Sequence, residues 1–282
     1  MTAGLSLAAV AKNKLALAAF LVLAFLVLIA LTSPLLNAYI IRQDPLAMDL
    51  DRLHMPPGKD HLLGTDGKGR DILARIVAGS RISLAVGAAA TGLSLGIGVL
   101  FGLLAGYYGG RVDLILTQLF DVLLAFPSLL LAIGISAVMP PGLGSAMLAI
   151  TLVGWAGFAR LVRGITLSLK EHTYIEAARA LGASSARILF RHILPNALPL
   201  LLVAASLRIG GFILMESSLS FLGLGVQPPT PTWGSMISLN RAYINSAPWI
   251  VIFPGLAISF TVISCNAVGD FLRDRLDPRF QP

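Results

Sequence analysis

Long apolar runs recur along the chain and alternate with polar segments. A transmembrane helix needs about 20 consecutive, mainly apolar residues. Six runs have roughly that length, at residues 15–36, 82–107, 114–137, 144–163, 198–223 and 248–269. The pattern therefore predicts an all-α, polytopic membrane protein with six transmembrane helices in a lipid bilayer.

Small residues are frequent inside these runs. The stretch GAAATGLSLGIGVLFGLLAG, from Gly87 to Gly106, alternates glycine, alanine and serine with larger apolar residues. Small side chains let the backbones of neighbouring membrane helices approach closely. We expect this span to pack tightly inside a helix bundle.

The first run follows Lys12 and Lys14, as the apolar core of a signal peptide would. Such a core is about 7–15 residues long and ends near a site with small residues. The run at 15–36 is longer and has no clear site of that kind. We interpret it as a retained first span.

The composition agrees with a membrane protein. Charged residues make up 12% of the 282 residues, about half of the usual share in soluble domains. A net charge of +7 would suggest nucleic acid as the partner of a soluble protein, but cytoplasmic loops of membrane proteins carry the same excess of Lys and Arg. We therefore expect no nucleic-acid partner. The single cysteine, Cys265, allows neither an internal disulfide nor a cysteine-based metal site.

The charges also predict the orientation. Only Glu171 and Glu176 oppose the positive charges of the loop between spans four and five, and cytoplasmic loops are rich in Lys and Arg. With six spans, both termini then lie in the cytoplasm as well. The loop at 37–81 argues against this, because it holds seven Lys and Arg beside six Asp, but long loops count less. The positive residues of the loop between spans four and five are Arg160, Arg163, Lys170, Arg179, Arg187 and Arg191.

This loop is predicted to form a helix, a turn and a second helix. Thr173 and Glu176 have the spacing of a capping box, which predicts a helix from about Tyr174. Gly182 stands where a left-handed residue would end that helix. Ser184 is a candidate N-cap for the second helix, which we expect Pro195 to end.

The first of these short helices is predicted to be amphipathic. Ile175, Ala178 and Leu181 share one face, and Arg187 and Arg191 lie one turn apart on the second helix. Such an apolar face either lies on the membrane surface or binds in the groove of a partner protein. The residues alone leave both alternatives open. A DNA-binding unit is disfavoured, because short connections tie the segment to two spans.

Five motifs in order resemble one family of transport proteins. Glu176 to Gly182 reads E-A-A-x-x-x-G and is followed by I-L-P at Ile193 to Pro195, as in the EAA loop of ATP-binding-cassette (ABC) importer permeases. The chain is similar to the dipeptide, oligopeptide and nickel permeases, in particular to the shorter, C-type subunit of the pair. One mild departure is Ala267-Val268 after Asn266. The other four motifs are HLLGTDGKGRDILARIVAGSRISL (His61 to Leu84), DVLLAFPSLLLAI (Asp121 to Ile133), LSFLGLGVQPPTPTWGSMI (Leu219 to Ile237) and NAVGDFLRDRLDPR (Asn266 to Arg279).

The resemblance implies the fold of a type I importer permease and a function by alternating access. It implies a sister permease of the B type, two cytoplasmic ATP-binding subunits and an extracytoplasmic substrate-binding protein, in the plasma (inner) membrane of a bacterium or archaeon. ATP and Mg²⁺ would bind to the ATPase subunits, so this chain would need no cofactor and would not be an enzyme. The expected substrate is a di- or oligopeptide, and nickel chelates, glutathione or oligosaccharides are alternatives.

The resemblance also implies an organisation of the chain. Residues 1–60 would hold the N-terminal tail, the first span and the start of an outer loop, and residues 61–282 the permease domain with a coupling loop at about 164–197. The residues expected to transmit the movement of the ATPase are Thr173, Glu176, Ala177, Ala178, Leu181, Gly182 and Arg187.

Charged residues inside spans are costly and are candidates for function. Asp121 lies in the third predicted span, and Arg208, Glu216 and Ser217 lie in the fifth. These four residues either line a translocation path or have structural roles, for which an ion pair between Arg208 and Glu216 is one possibility.

Other sites and classes find little support. The stretch Gly64 to Asp71 lacks the residue order of a phosphate-binding loop, and we expect it to lead into a helix at the outer membrane interface, with Asp71 one turn before Arg75. The histidines form no metal-binding pattern, and no serine or paired-aspartate site of a membrane enzyme occurs. An ion-coupled secondary transporter is the rival class, but the repeats typical of it are not evident.

Overall fold

The structure is a computed structural model, and it describes residues 13–276. Within that range the chain is helical, apart from loops and one isolated bridge between Thr65 and Asp71. The helices are α1 (Lys14–Ile41, with a π-helical end at Leu36–Ile41), α2 (Ile72–Tyr108), α3 (Gly110–Ala125), α4 (Ser128–Ala137), α5 (Leu143–Leu169), α6 (Thr173–Ala180), α7 (Ser185–Phe221), α8 (Trp233–Asn240) and α9 (Trp249–Leu276).

Five of these helices are long and apolar enough to cross a membrane, namely α1, α2, α5, α7 and α9. Helices α3 and α4 together pass the same test, but they meet at an angle of 90°. Counting this bent pair as one span gives six, which confirms the predicted all-α, multi-span fold.

The third predicted span, 114–137, is not one continuous helix. Phe126 has an extended backbone (φ −89°, ψ 143°), and Pro127 follows it. Proline disfavours the helical conformation in the residue before it, and its own ring displaces the helical hydrogen bond. The prediction of an unbroken helix was wrong for this reason.

The prediction that Pro195 ends a short helix was also wrong. Helix α7 runs through Pro195 and Pro199 to Phe221. A π-helical segment, Ile188–Ile193, directly precedes the first proline, and the Leu194 N–H donates to the Leu189 carbonyl one residue further back than in an α-helix. A wider turn of this kind is a common way to accommodate a local disruption without ending a helix.

The centre of the bundle is the contact between α2 and α5. Gly98, Gly102 and Gly106 lie along one face of α2, against the α5 backbone. A Cβ atom on Gly102 would lie 2.5 Å from the Ala159 carbonyl oxygen, and one on Gly98 would lie 2.9 Å from the Ala159 nitrogen. These distances are too short for a side chain, so the glycines allow the two backbones to touch. This confirms the tight packing predicted from the small residues.

The remaining spans pack around this pair. Phe212 of α7 fills the space beside Gly154 of α5, and Ile213 fills the space beside Gly87 of α2. Helix α9 packs against α7, and α1 lies against α9 and α2 at the edge of the bundle, where Phe20 and Phe271 meet edge to face with ring centroids 6.1 Å apart. The bundle therefore has α2 and α5 inside and α1 at its periphery.

The loop between α1 and α2 is folded onto one end of the bundle. Arg70 Nη2 lies 2.7 Å from Asp66 Oδ2, and both side chains are buried. Asp71 caps α2 by accepting from the Ala74 N–H at 2.7 Å, and it also accepts from His61 Nδ1 at 2.8 Å. We expected this segment at a membrane interface. The charges of this segment are buried because they find partners within the protein, and its position at a membrane interface stays a prediction.

The expected pairing of Asp71 with Arg75 is not found. The Arg75 guanidinium donates to the Pro45 carbonyl at 2.9 Å and lies 3.6 Å from Asp66 Oδ2. Asp71 instead has the N-cap position of α2, which begins at Ile72, ten positions before the predicted span. A carboxylate at the N-cap bonds a free backbone N–H and complements the helix dipole.

The packing of α2 on α5 can be tested with two alanine variants. Gly102→Ala places a methyl group against the Ala159 carbonyl, and we expect a loss of about 1–3 kcal/mol of stability from overpacking. Gly96→Ala is the matched control on the same helix, since nothing lies within 4 Å of its Cβ position. The measurement is the thermal melting of the purified protein in detergent. Equal melting temperatures for the two variants would contradict the close contact.

Candidate functional site

Helix α6 lies beyond the spans, at the end of the bundle where α2 and α5 both finish. Ile175 anchors it and is fully buried in an apolar cluster. At the rim, the Arg179 guanidinium lies 5.9 Å from the centroid of the Tyr107 ring, and the Asn196 amide donates to the Tyr174 hydroxyl at 3.4 Å. The other buried members of the cluster, from α2, α5 and α7, are Leu103, Val162, Ile188, Leu189, Ile193, Ala197 and Leu201.

The start of α6 differs from the expected capping box. The N-cap residue is His172, and no side chain caps the helix. The carbonyl of His172 accepts from the backbone N–H of Ile175 at 2.9 Å, and Thr173 is already the first helical residue. A tight turn after α5, in which the His172 N–H donates to the Leu169 carbonyl, places the boundary one residue early. Thr173 and Glu176 are therefore exposed residues of the first turn, and the capping box was wrong.

The end of α6 is as predicted. Gly182 has φ +80°, in the left-handed region. Its N–H donates to the Arg179 carbonyl at 3.0 Å, and the Ala183 N–H donates to the Ala178 carbonyl at 3.0 Å. These two bonds form a Schellman motif, which satisfies the free carbonyls of the helix end. This geometry sets the direction in which the chain leaves α6.

The next helix begins at the predicted cap. The Ser184 hydroxyl accepts from the Arg187 N–H at 3.4 Å, and α7 starts with Ser185. Only two residues, Gly182 and Ala183, separate the C-cap Leu181 from this N-cap. Helix α6 is thus joined by a short, fully hydrogen-bonded turn to a helix that continues across the bundle.

Most of α6 is exposed. Ile175 is buried and Ala178 is half-buried, but Leu181 is 89% exposed. The three residues predicted to share one apolar face are therefore divided between the anchor and the free side of the helix. The free side, which we call the α6 surface, consists of Thr173, Glu176, Ala177, Ala180, Leu181 and the neighbouring Arg187.

Two ion pairs join α3 to α5 near the same end. Asp121 pairs with Arg160, and both side chains are more than half exposed. Asp113 accepts from Arg163, with Nη2 2.7 Å from Oδ2. The second pair was not anticipated, because Arg163 was assigned to a loop and its partner is 50 residues away. A signal was present in the sequence, since Asp113 and Arg163 both border apolar runs.

Glu216 is fully buried in α7 and is held by hydroxyl groups. Ser220 donates to one carboxylate oxygen at 2.7 Å, and Ser83 of α2 and Ser217 donate to the other at 3.4 and 3.5 Å. The suggested ion pair between Arg208 and Glu216 is wrong. Glu216 instead connects α7 to α2 through neutral donors.

Arg208 lies apart from Glu216 on an exposed side of α7. Its guanidinium stacks 5.9 Å from the centroid of the Phe158 ring and occupies the notch left by Gly157. Within the part of the chain that the structure describes, it forms no ion pair. Of the four candidate path residues, the structure brings together only Glu216 and Ser217.

Comparison with known proteins decides the family. The model of the family described as binding-protein-dependent transport system inner membrane component matches residues 98–282. The chain belongs to this family. The matched part includes α6, Gly182 and the whole of α7. Among residues 13–276 no group of three or more potential ligands could hold a metal ion.

Characterised members of the transport family are similar along almost the whole chain. The dipeptide transport system permease protein DppC of Alkalihalophilus pseudofirmus is 45% identical over 96% of this chain and 88% of its own length. The glutathione transport system permease protein GsiD of Pectobacterium atrosepticum is 46% identical over 96% of this chain and 89% of its own length. The oligopeptide transport system permease protein OppC of Bacillus subtilis is 42% identical over 96% and 87%.

A solved structure of an importer has the same fold. The structure titled "Inward facing conformations of the MetNI methionine ABC transporter" matches with a TM-score of 0.60 at 20% identity. The match covers 72% of this chain and 97% of the other. It confirms the type I importer permease fold for this member of the transport family.

Proposed function

We propose that the chain is the C-type permease subunit of an ABC importer for di- and oligopeptides. The observation that carries this proposal is the α6 surface, a short helix outside the spans whose free side is exposed and whose end is rigidly joined to a span. Catalysis is not assigned to this chain. ATP and Mg²⁺ bind to two cytoplasmic ATPase subunits, so the permease itself needs no cofactor.

The α6 surface suits a protein groove. A single buried side chain, Ile175, anchors the helix, and Leu181 at its end is 89% exposed. An amphipathic helix with an exposed apolar side chain can bind in the groove of a partner, and the same segment carries exposed charges at Glu176 and Arg187. The proposed partner is the ATPase, which covers Leu181 when the complex assembles.

The connection from α6 to α7 suits the transmission of movement. The Schellman turn at Gly182 and the cap at Ser184 leave no flexible linker between the two helices. Helix α7 then continues from Ser185 to Phe221 without a break. A displacement of α6 by the ATPase is therefore passed directly to α7, which crosses the membrane. The resulting tilt of α7 changes the side of the membrane to which the path opens, which is alternating access.

The remaining partners follow from the family and the charges. A sister permease of the B type completes the translocation path, and an extracytoplasmic binding protein delivers the substrate. The membrane is the plasma (inner) membrane of a bacterium or archaeon. The positive charges near α6 support a cytoplasmic position for that end of the bundle and for both termini.

The substrate class rests on the relatives and on Arg208. Two of the similar permeases are named for dipeptides and oligopeptides and one for glutathione, which is itself a peptide. These substrates carry a carboxylate. A guanidinium without an ion-pair partner, held over Phe158 in the middle of a span, suits such a group. Glutathione is the alternative cargo that these observations favour, and nickel chelates have no such support.

The coupling role can be tested at Gly182. Gly182→Val places a β-branched residue at φ +80°, which costs about 1–2 kcal/mol or more, and we expect uptake to fall sharply while the chain still inserts. Gly182→Asn is the matched control, because asparagine tolerates the left-handed conformation. The measurements are peptide uptake by the reconstituted complex and recovery of the ATPase subunits with it. Normal uptake and ATPase recovery by the valine variant would refute the coupling role.

The orientation can be tested with reporters. A reporter fused after Gln281 should be cytoplasmic, and one inserted between Gly225 and Ser246 should lie on the outer side, because α6 and the termini share a side. Activities of an alkaline phosphatase and a fluorescent protein at both sites provide the measurement. The reverse pattern would place α6 away from any cytoplasmic ATPase and would contradict the proposal.

The role of Arg208 can be tested by moving the charge as well as by removing it. Arg208→Met should lower uptake of a peptide with a free C-terminal carboxylate by about tenfold, the loss expected for one charged hydrogen bond. Gly157→Ala keeps the charge but fills the notch, since its Cβ would lie 2.7 Å from Nη2 of Arg208. It should have a smaller effect of the same kind. Gly164→Ala, with nothing within 4 Å, is the control.

The comparison substrate for these variants is the same peptide with a C-terminal amide. The Arg208 variant should reduce uptake of the acid more than uptake of the amide. A loss of the assembled complex on size-exclusion chromatography would instead assign Arg208 to structure.

A further inference from the structure

A groove of about 480 Å³ lies between α1, α2 and α5, at the end of the bundle opposite α6. Its walls are mainly apolar, with Ile82 and Val86 of α2 and Leu143 and Met147 of α5 among them. Loop residues such as Pro45 close its end. Among the polar side chains that interrupt this apolar lining, one on α1 and one on α2 lack their full set of partners.

The first of these groups is the Arg81 guanidinium. Arg81 belongs to the groove wall and is exposed. Among residues 13–276 it makes no ion pair, whereas Arg70 and Arg75 on the same side of the bundle both contact Asp66. A positive charge that no acid of the protein neutralises, beside an apolar groove, is complementary to an anion that carries apolar groups.

The second group is the side-chain oxygen of Asn37. Asn37 lines the groove and is only 8% exposed. Its Nδ2 donates to the Ala74 carbonyl at 3.2 Å, which settles which way the amide is turned. The Oδ1 atom is buried and has no hydrogen-bond partner among residues 13–276. A buried acceptor without a donor is destabilising, so a ligand that supplies a donor here is bound more tightly.

The position of the groove fits the border of a membrane. Arg81 directly precedes the span predicted at 82–107, so it lies where the hydrocarbon core of the bilayer is expected to begin. The neighbouring helix α1 lies at the periphery, with Leu28, Leu31 and Leu35 exposed near its end. The groove therefore opens beside a lipid-facing helix, at the depth of the phospholipid head groups.

We propose that this groove is a binding site for one phospholipid of the outer leaflet. The phosphate contacts Arg81, and a donor of the head group, such as the ammonium of phosphatidylethanolamine or a hydroxyl of phosphatidylglycerol, bonds Asn37 Oδ1. An acyl chain lies along Ile82, Val86 and Met147. Such a lipid holds α1 against α2 and α5, and it carries out no step of transport.

The test is native mass spectrometry of the complete complex, purified with its partner subunits and supplied with one lipid at a time. The probes are phosphatidylethanolamine, phosphatidylglycerol and phosphatidylcholine with the same acyl chains. We expect the complex to retain one of these three lipids more tightly than the others. Phosphatidylcholine should bind more weakly than the other two, because its trimethylammonium group cannot donate to Asn37. Equal retention of all three lipids would refute the role of Asn37.

Two variants locate the site. Arg81→Gln should weaken retention of that lipid about tenfold, and Ala89→Leu should displace it, because Ala89 lines the groove. The matched controls are Arg111→Gln, an exposed arginine at the other end of the bundle, and Ala88→Leu, an exposed neighbour outside the groove lining. Unchanged retention in both groove variants would overturn the proposal.

A second measurement excludes two other occupants. A roughly tenfold excess of glycerol 3-phosphate should not displace the lipid, because the apolar chain contributes most of the affinity. Displacement would mean that the site is a phosphate site only. The thiol introduced by Ala85→Cys should not cross-link to the sister permease. Efficient cross-linking would show that protein, not lipid, fills the groove. Neither readout depends on transport, so failure here is separate from failure of the proposed function.

Discussion

The contact between the backbones of α2 and α5 is the constraint on which the rest of the bundle depends. Three glycines, Gly98, Gly102 and Gly106, remove the side chains that would hold these helices apart. Without a hydrophobic effect between helices in lipid, close packing of this kind is what holds spans together. Helices α7, α9 and α1 then pack around the pair. The same contact links the two ends of the protein, since α2 begins at the buried loop that follows α1 and α5 leads to α6.

The region around α6 combines a weak attachment with a stiff connection. One buried isoleucine, Ile175, holds the helix against the bundle, so most of its surface remains available. The turn that follows has its backbone hydrogen bonds satisfied by Gly182 and Ser184, and α7 continues from it across the protein. In the coupling proposal, a helix with these properties follows the subunit that binds to it and moves the attached span. The coupling proposal rests on this mechanical arrangement more than on any single side chain.

The charges inside the spans are satisfied in three different ways. Asp113 and Asp121 pair with arginines of α5, Glu216 accepts from serine hydroxyls, and Arg208 stacks on an aromatic ring. A buried charge without compensation is costly in lipid, so the first two solutions are structural. Of these four residues, Arg208 is the one without a carboxylate or hydroxyl partner among residues 13–276. The candidate path residues therefore separate into groups with different roles, although they looked alike in the sequence.

Much of the fold and part of the candidate site could be predicted because they depend on local properties. Run length and polarity determine where helices can lie in lipid, and a residue that needs positive φ, such as Gly182, is recognisable by its type and spacing. Ser184 was recognisable as a cap for the same reason. Some local predictions were wrong. The capping box at Thr173 depended on where the turn after α5 ends, which a single residue decides, and a π-helical turn carries the helix past Pro195, where we expected it to end.

Tertiary structure decided what depends on contacts between distant segments. Asp121 meets an arginine 39 residues away, and Ser83 reaches a carboxylate 133 residues away; no pattern within either segment specifies such partners. The burial of Asp66 and the groove beside Arg81 likewise arise only when several helices and a loop come together. The sequence by itself determined a multi-span helical protein with a hinge-free turn at Gly182, because backbone preference and hydropathy are local. The fold alone decided which charges are neutralised and which remain free, because this depends on the faces that neighbouring helices present to one another.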